Sequence, residues 1–191
     1  MSLKQTYLVG LCFSDMALSK RIIVLSLSLV LFLSSCMNKK AMEFKHILDV
    51  QERKVTQMLI GKKGSESLKL NYLIADNFDE ALAAVNKQEL EFDTVLHTIK
   101  AMGTADLKMA PSLQAAAINY YGSLKALHMY AKKEITQQKI ISTAKGAEKD
   151  KAQDELIKLA KDKQVLYDNV YETEEPFHNV LLAFEDANGL R

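Results

Sequence analysis

From Phe44 onward, apolar side chains return every three or four positions, the spacing that places them on one face of a helix. Phe44, Ile47, Leu48, Val55, Met58 and Leu59, with Gln51 on the same stripe, predict a first helix over about 40–60. Gly61 supplies its stop, and "GKKGSES" reads as a turn with Ser65 as the next N-cap. Leu68, Tyr72, Ala75, Phe78, Leu82, Val85, Phe92, Leu96 and Ile99 then predict one long helix ending near Met102 and Gly103. Its one irregular point is "ADNFDEAL", where Asn77 and Glu80 have the spacing of a capping box and predict a kink. Pro111 in "GTADLKMAPS" marks a loop, because a proline pushes its predecessor out of helical geometry yet suits a helix's first turn. A third helix carries Leu113, Ala117, Tyr120, Leu124, Leu127, Ala131, Ile135 and Ile141 and closes at Gly146. A fourth carries Leu156, Leu159, Leu166, Val170, Phe177, Leu181 and Phe184, with Pro176 expected to kink or restart it.

Long amphipathic helices joined by short connections predict an all-α fold, an antiparallel up-and-down four-helix bundle with long helices. Composition agrees: the 191 residues include only two prolines and seven glycines. The length suits one domain, expected over 36–191. A formal charge of +1 leaves no basic field to gather phosphates, so nucleic acid is excluded as a partner. The charge-rich run "AKGAEKDKAQDELIKLAKDK" alternates in sign and reads as a solvated helix face.

The chain before Phe44 has a different order. Lys20 and Arg21 precede an uncharged greasy run from Ile22 to Leu33, followed by Ser34, Ser35 and Cys36. Charged, apolar and then small is the sequence of a secretory signal peptide. The run is shorter than the roughly 20 apolar residues that a hydrocarbon core requires. Its end, Leu33-Ser34-Ser35-Cys36, resembles the lipobox of bacterial lipoproteins, where a peptidase cuts just before the cysteine. The resemblance implies residues 1–35 as a cleaved signal peptide and Cys36 as the lipidation site, carrying a thioether-linked diacylglycerol. It also implies a membrane attachment through that lipid. Residues 1–15 fit no part of the scheme, and a start at Met16 gives the compact leader "MALSKR". Met37, where some lineages place an aspartate, points by the same resemblance to the outer rather than the inner membrane. Cys12 would be lost with the leader and Cys36 blocked, so the mature domain would hold no disulfide and rely on packing. Lipobox and bundle pattern together resemble the uncharacterised helical surface lipoproteins of bacteria, which lend no binding residues.

Chemistry-bearing motifs are sparse. There is no Gly-rich phosphate loop, no Gly-x-Ser-x-Gly elbow, no His-Glu-x-x-His and no paired-cysteine zinc site. Glu43 with His46, and Glu175 with His178, share the Glu-x-x-His spacing that puts both groups on one helical face, and His97 is expected at the same end of the bundle. Ferritin-like bundles bind two metals with such pairs, but on different helices and with an inward glutamate that this sequence lacks. The five residues read as boundary or solvated side chains, and no metal or other cofactor is expected. Tyr120 falls on the third apolar stripe and reads as structural. Tyr121, Tyr130, Tyr167 and Tyr171 fall beside the stripes as a candidate surface for a partner or ligand, since tyrosine joins a large apolar ring to a hydroxyl. The functional expectation is a non-catalytic, lipid-anchored binding or surface-interaction protein of the bacterial envelope with a protein partner. The alternative is a helical bundle that binds a small ligand or a metal.

Overall fold

A computed structural model describes residues 39–191, in which helices are joined by short turns and loops with no strand among the described residues. The predicted signal peptide and Cys36 lie outside the described residues. Six helical segments form a helical bundle: α1 (39–60), α2 (Ser65–Ile74), α3 (Phe78–Lys100), α4 (Ala110–Met129), α5 (Ala131–Thr143) and α6 (Ala147–Ala187). None of them is long and apolar enough to cross a membrane.

The stretch predicted as one kinked helix is two helices. At its centre Asp76 adopts a left-handed φ of 54°, a conformation that aspartate tolerates better than most residues. The Asn77 amide donates to the Tyr72 carbonyl at 2.8 Å and the Asp76 amide to Leu73 at 3.1 Å. That pair of bonds is the Schellman ending of a helix. Asn77 does cap α3, but with its backbone, and no capping box with Glu80 forms. The chain turns back here, bringing Ser65 to Glu91 and Glu66 to Gln88. Ser65 itself is not a cap. Gly64 holds that position, and Ser65 is buried as the first helical residue, donating from Oγ to Glu91 Oε2 at 2.7 Å.

The third predicted helix is a rod with one joint. α4 and α5 meet at Tyr130, whose backbone stays helical at φ −60° and ψ −27°. Pro176 neither ends nor restarts α6, which is helical over all 41 residues, about 60 Å at 1.5 Å per residue. The proline sits on the solvent face, where water can satisfy the carbonyl that loses its partner. Gly189, at φ 66°, then closes α6, with the Leu190 amide bonding back to Glu185 and the Leu190 side chain folded against the core.

The core has two parts. The larger gathers Phe44, Leu48, Val55 and Met58 of α1, Phe92, Val95 and Ile99 of α3, Leu113, Ala117 and Tyr121 of α4, and Phe184 of α6. A smaller cluster of Ala81, Val85, Ala131 and Ile135 joins α3 to α5. In α3 the inward positions Ala81, Val85, Gln88, Phe92, Val95 and Ile99 alternate steps of four and three, a seven-residue repeat with one polar member.

Glycine at the α1–α2 turn is required by space. A Cβ at Gly64 would overlap the carbonyl oxygens of Gln57 and Met58, whereas one at Gly122, inside α4, would meet nothing. Alanine should therefore act in opposite directions at the two sites. Gly64→Ala is expected to cost about 1–3 kcal/mol through forced backbone shifts, and Gly122→Ala to add roughly 0.5–1 kcal/mol through helix propensity. Urea denaturation followed by circular dichroism reads both signs, and a destabilised Gly122→Ala would contradict the packing described here.

Candidate functional site

Two features stand out once the helices are in place: a polar network between the two cores, and an open groove. The network begins with Glu66, in the first turn of α2. Its carboxylate accepts from Lys69 Nζ at 2.6 Å and Gln88 Nε2 at 3.0 Å, and lies 3.2 Å from His128 Nδ1. Gln88 is fully buried, and its Oε1 has no partner among the described residues. The His128 ring also rests on Phe92, centroids 6.0 Å apart. Burial works to raise the Glu66 pKa. The three hydrogen bonds from His128, Lys69 and Gln88, with the lysine charge, outweigh it and hold the pKa at about 2.

The groove is lined by Glu52, Val55, Thr56, Leu59 and Ile60 of α1, by Tyr120, Tyr121 and Leu124 of α4, and by α6 residues from Tyr171 to Leu181. Towards one end of the bundle α1 and α6 touch, Phe44 against Phe184 at 5.2 Å between centroids and Lys45 with Glu185. Further along, the space between them has a volume of about 760 Å³. Tyr120 and Phe177 stack in it at 5.3 Å with their planes 13° apart, and Tyr121 meets Phe177 edge-on at 5.8 Å. On the rim stand Glu52, Glu174, Glu175 and His178, with Ile60 at 81% and Tyr171 at 68% exposure.

The candidate tyrosines therefore divide. Tyr171 lines the groove. Tyr121, expected beside the stripe, is a core residue with 2% exposure whose ring closes the groove from beneath. Burial, and then the negative charge of Glu52, push its phenol pKa up. Tyr120, read as structural, is half-buried and lines the groove. The reversal follows from phase: one helical step of 100° separates the two rings, and which one points to the centre depends on how α4 is rotated against its neighbours. Tyr167 is exposed on α6 outside the groove, and Tyr130 sits at the α4–α5 joint with Lys133 Nζ 5.0 Å from its ring centre.

The histidine–glutamate pairs are not brought together. Glu43, His46, His97, Glu175 and His178 are all exposed, with His46 beside Lys45, Asp49 and Leu190 while Glu175 and His178 border the groove. Among the described residues no group of three or more His, Cys, Asp or Glu side chains is placed to hold a metal ion.

Sequence reasoning missed the Glu66 network. One signal was present: Gln88 occupies an inward place in the heptad of α3, between Val85 and Phe92. Nothing in the linear pattern indicates that Glu66, Lys69 and His128 are its partners.

Glu66 predicts a pH dependence of stability. A carboxylate whose folded pKa is depressed stabilises the fold above its unfolded value, and that contribution is lost as pH falls through the folded value. Between pH 4.5 and about 2 the parent chain should lose on the order of 2–3 kcal/mol attributable to this side chain. Glu66→Gln should be less stable at neutral pH and show a correspondingly smaller loss across that window. Chemical denaturation at several pH values measures this, and parallel profiles for the two chains would contradict it. Comparison of the chain with protein-family models, with curated proteins and with solved structures yields no match, so the site is interpreted from its own chemistry.

Proposed function

We propose that the chain is a lipid-anchored binding protein of the bacterial cell envelope, without catalysis, whose contact site is the groove between α1, α4 and α6. The anchor rests on the lipobox-like Leu33-Ser34-Ser35-Cys36 after its charged and apolar leader. Acylation of Cys36 with more than one chain would give stable attachment where a single chain is marginal. Met37 after the cysteine favours the outer membrane. Residues 36–191 would form one domain, with the helices following an antiparallel up-and-down path. The order of contacts supports that path: Asp79 pairs with Lys139, Glu89 with Lys132 and Asp93 with Lys125, so α3 rises in number as α4 and α5 fall.

The binding half of the reading is carried by one observation, the apolar groove with stacked aromatic side chains and an exposed rim. Its volume lies within the roughly 300–1,000 Å³ of pockets that bury most of a small ligand. Aromatic side chains with one edge open to water are also what protein contact sites use as anchors.

Two measurements test the two halves. Metabolic labelling with an alkyne fatty acid should mark the parent chain, and Cys36→Ala should lose both the label and the sedimentation with membranes. Retention of both by the variant would refute the anchor. Hydrogen exchange of the purified chain, with and without envelope extract, should show added protection over residues 52–60 and 171–181. Protection confined to other segments, or none, would count against the groove.

A further inference from the structure

The groove has a sign. Among the described residues that line it, Glu52, Glu174 and Glu175 are carboxylates, His178 is a titratable imidazole, and there is no lysine or arginine. These three glutamates make no ion pair among the described residues, although the surface elsewhere is rich in lysine–carboxylate pairs. Their field reaches the floor. Burial is the main reason that the Tyr120 phenol pKa is raised, and the charges of Glu174 and then Glu52 raise it further. Beside the carboxylates lie the rings of Tyr120, Tyr121 and Phe177, with Val55, Leu59, Leu124 and Leu181 completing an apolar bed.

Carboxylates above aromatic rings attract cations twice, once by direct charge and once through the negative faces of the rings. An apolar bed beneath them rewards a ligand that brings hydrocarbon as well as charge. From this complementarity we infer that the groove binds an organic cation with an apolar body, an ammonium or guanidinium group attached to an alkyl or aryl moiety. The inference rests on the reading of the groove as a binding site and names the chemistry of its occupant. The charged head lies between Glu52 of α1 and Glu174 and Glu175 of α6. The hydrocarbon lies along Phe177, Tyr120 and Leu59. An anion of the same shape is repelled by the rim, and a neutral analogue gains the bed alone.

Three probes with one apolar body separate these contributions: phenylbutylammonium, phenylbutanol and phenylbutyrate, each measured by equilibrium dialysis against the full chain. The ammonium compound should bind about tenfold or more tightly than the alcohol, and the carboxylate most weakly. The preference should shrink at high salt, since exposed charges are screened. The triple variant Glu52→Gln, Glu174→Gln, Glu175→Gln should bind the ammonium compound no better than the alcohol while retaining the parent's helical circular dichroism. Any uptake by detergent or lipid is the same for both chains and cancels in that comparison. Equal binding of ammonium compound and alcohol by the parent, or an ammonium affinity unchanged in the triple variant, would overturn the cationic ligand and leave the groove as a binding site. Thr56→Trp, which places an indole in the groove, should weaken the ammonium compound and the alcohol alike. If Thr56→Trp binds all three probes as the parent does, the groove takes up no such ligand, and both the cation inference and the binding reading fail.

Discussion

A single partly buried carboxylate ties three helices of this bundle together. Glu66 sits where the larger apolar cluster of α1, α3, α4 and α6 gives way to the smaller one between α3 and α5. Three donors from three helices converge on it: Lys69 from α2, Gln88 from α3 and His128 from α4. Glu66 is partly buried, and a carboxylate drawn from water without partners is penalised, which favours the register of the three helices that brings all the donors within reach. The apolar residues around it could be exchanged among themselves at modest cost. Glu66 has less freedom, because its carboxylate is the shared partner of Lys69, Gln88 and His128. The Ser65–Glu91 bond beside it holds the same end of α2 to the same part of α3.

The groove follows from the place where α1 stops. The Gly61–Gly64 turn ends that helix, and Gly64 lies too close to the carbonyls of Gln57 and Met58 for a side chain. The chain then enters α2, which is tied to α3 and α4 through Ser65 and Glu66 rather than to α6. α6 extends alongside α4 and α5, with Thr173 bonded to Ser123 and Lys163 to Glu134. Near Ile60, α6 therefore keeps its partners on one flank and presents Tyr171 to water on the other. The packing of α2 and the opening of the groove both follow from where α1 ends.

Much of the fold was legible because burial imposes a period. The stripe from Phe44 to Leu59 and the later one through Val85, Phe92 and Ile99 both mark buried faces, and the structure buries Phe44, Leu48, Val85, Phe92 and Ile99. What misled was punctuation. Asp76 in a left-handed conformation turned an expected kink into a reversal, since a non-glycine residue gives little linear warning of positive φ. At Pro176 the helix does not restart: the proline lies on a solvated face, where water can satisfy the freed carbonyl, and the helix runs on. In the candidate site the sequence marked Tyr171, Glu175 and His178 as noteworthy and misjudged the neighbouring pair Tyr120 and Tyr121.

The amino-acid order alone determined that the chain is helical, where its apolar faces lie and which motifs of catalysis it lacks, because those properties depend on composition and on a period of three or four residues. It also carries the lipobox-like segment ending at Cys36, on which the anchor proposal rests. Only tertiary structure decided that Glu66 is shared by Lys69, Gln88 and His128, that Tyr121 closes a groove from below while Tyr171 borders it, and that three glutamates from two helices, unpaired among the described residues, line one groove. Each of these depends on how one helix is rotated and shifted against another. That is set by the packing of many side chains at once, and no local pattern along the chain encodes it.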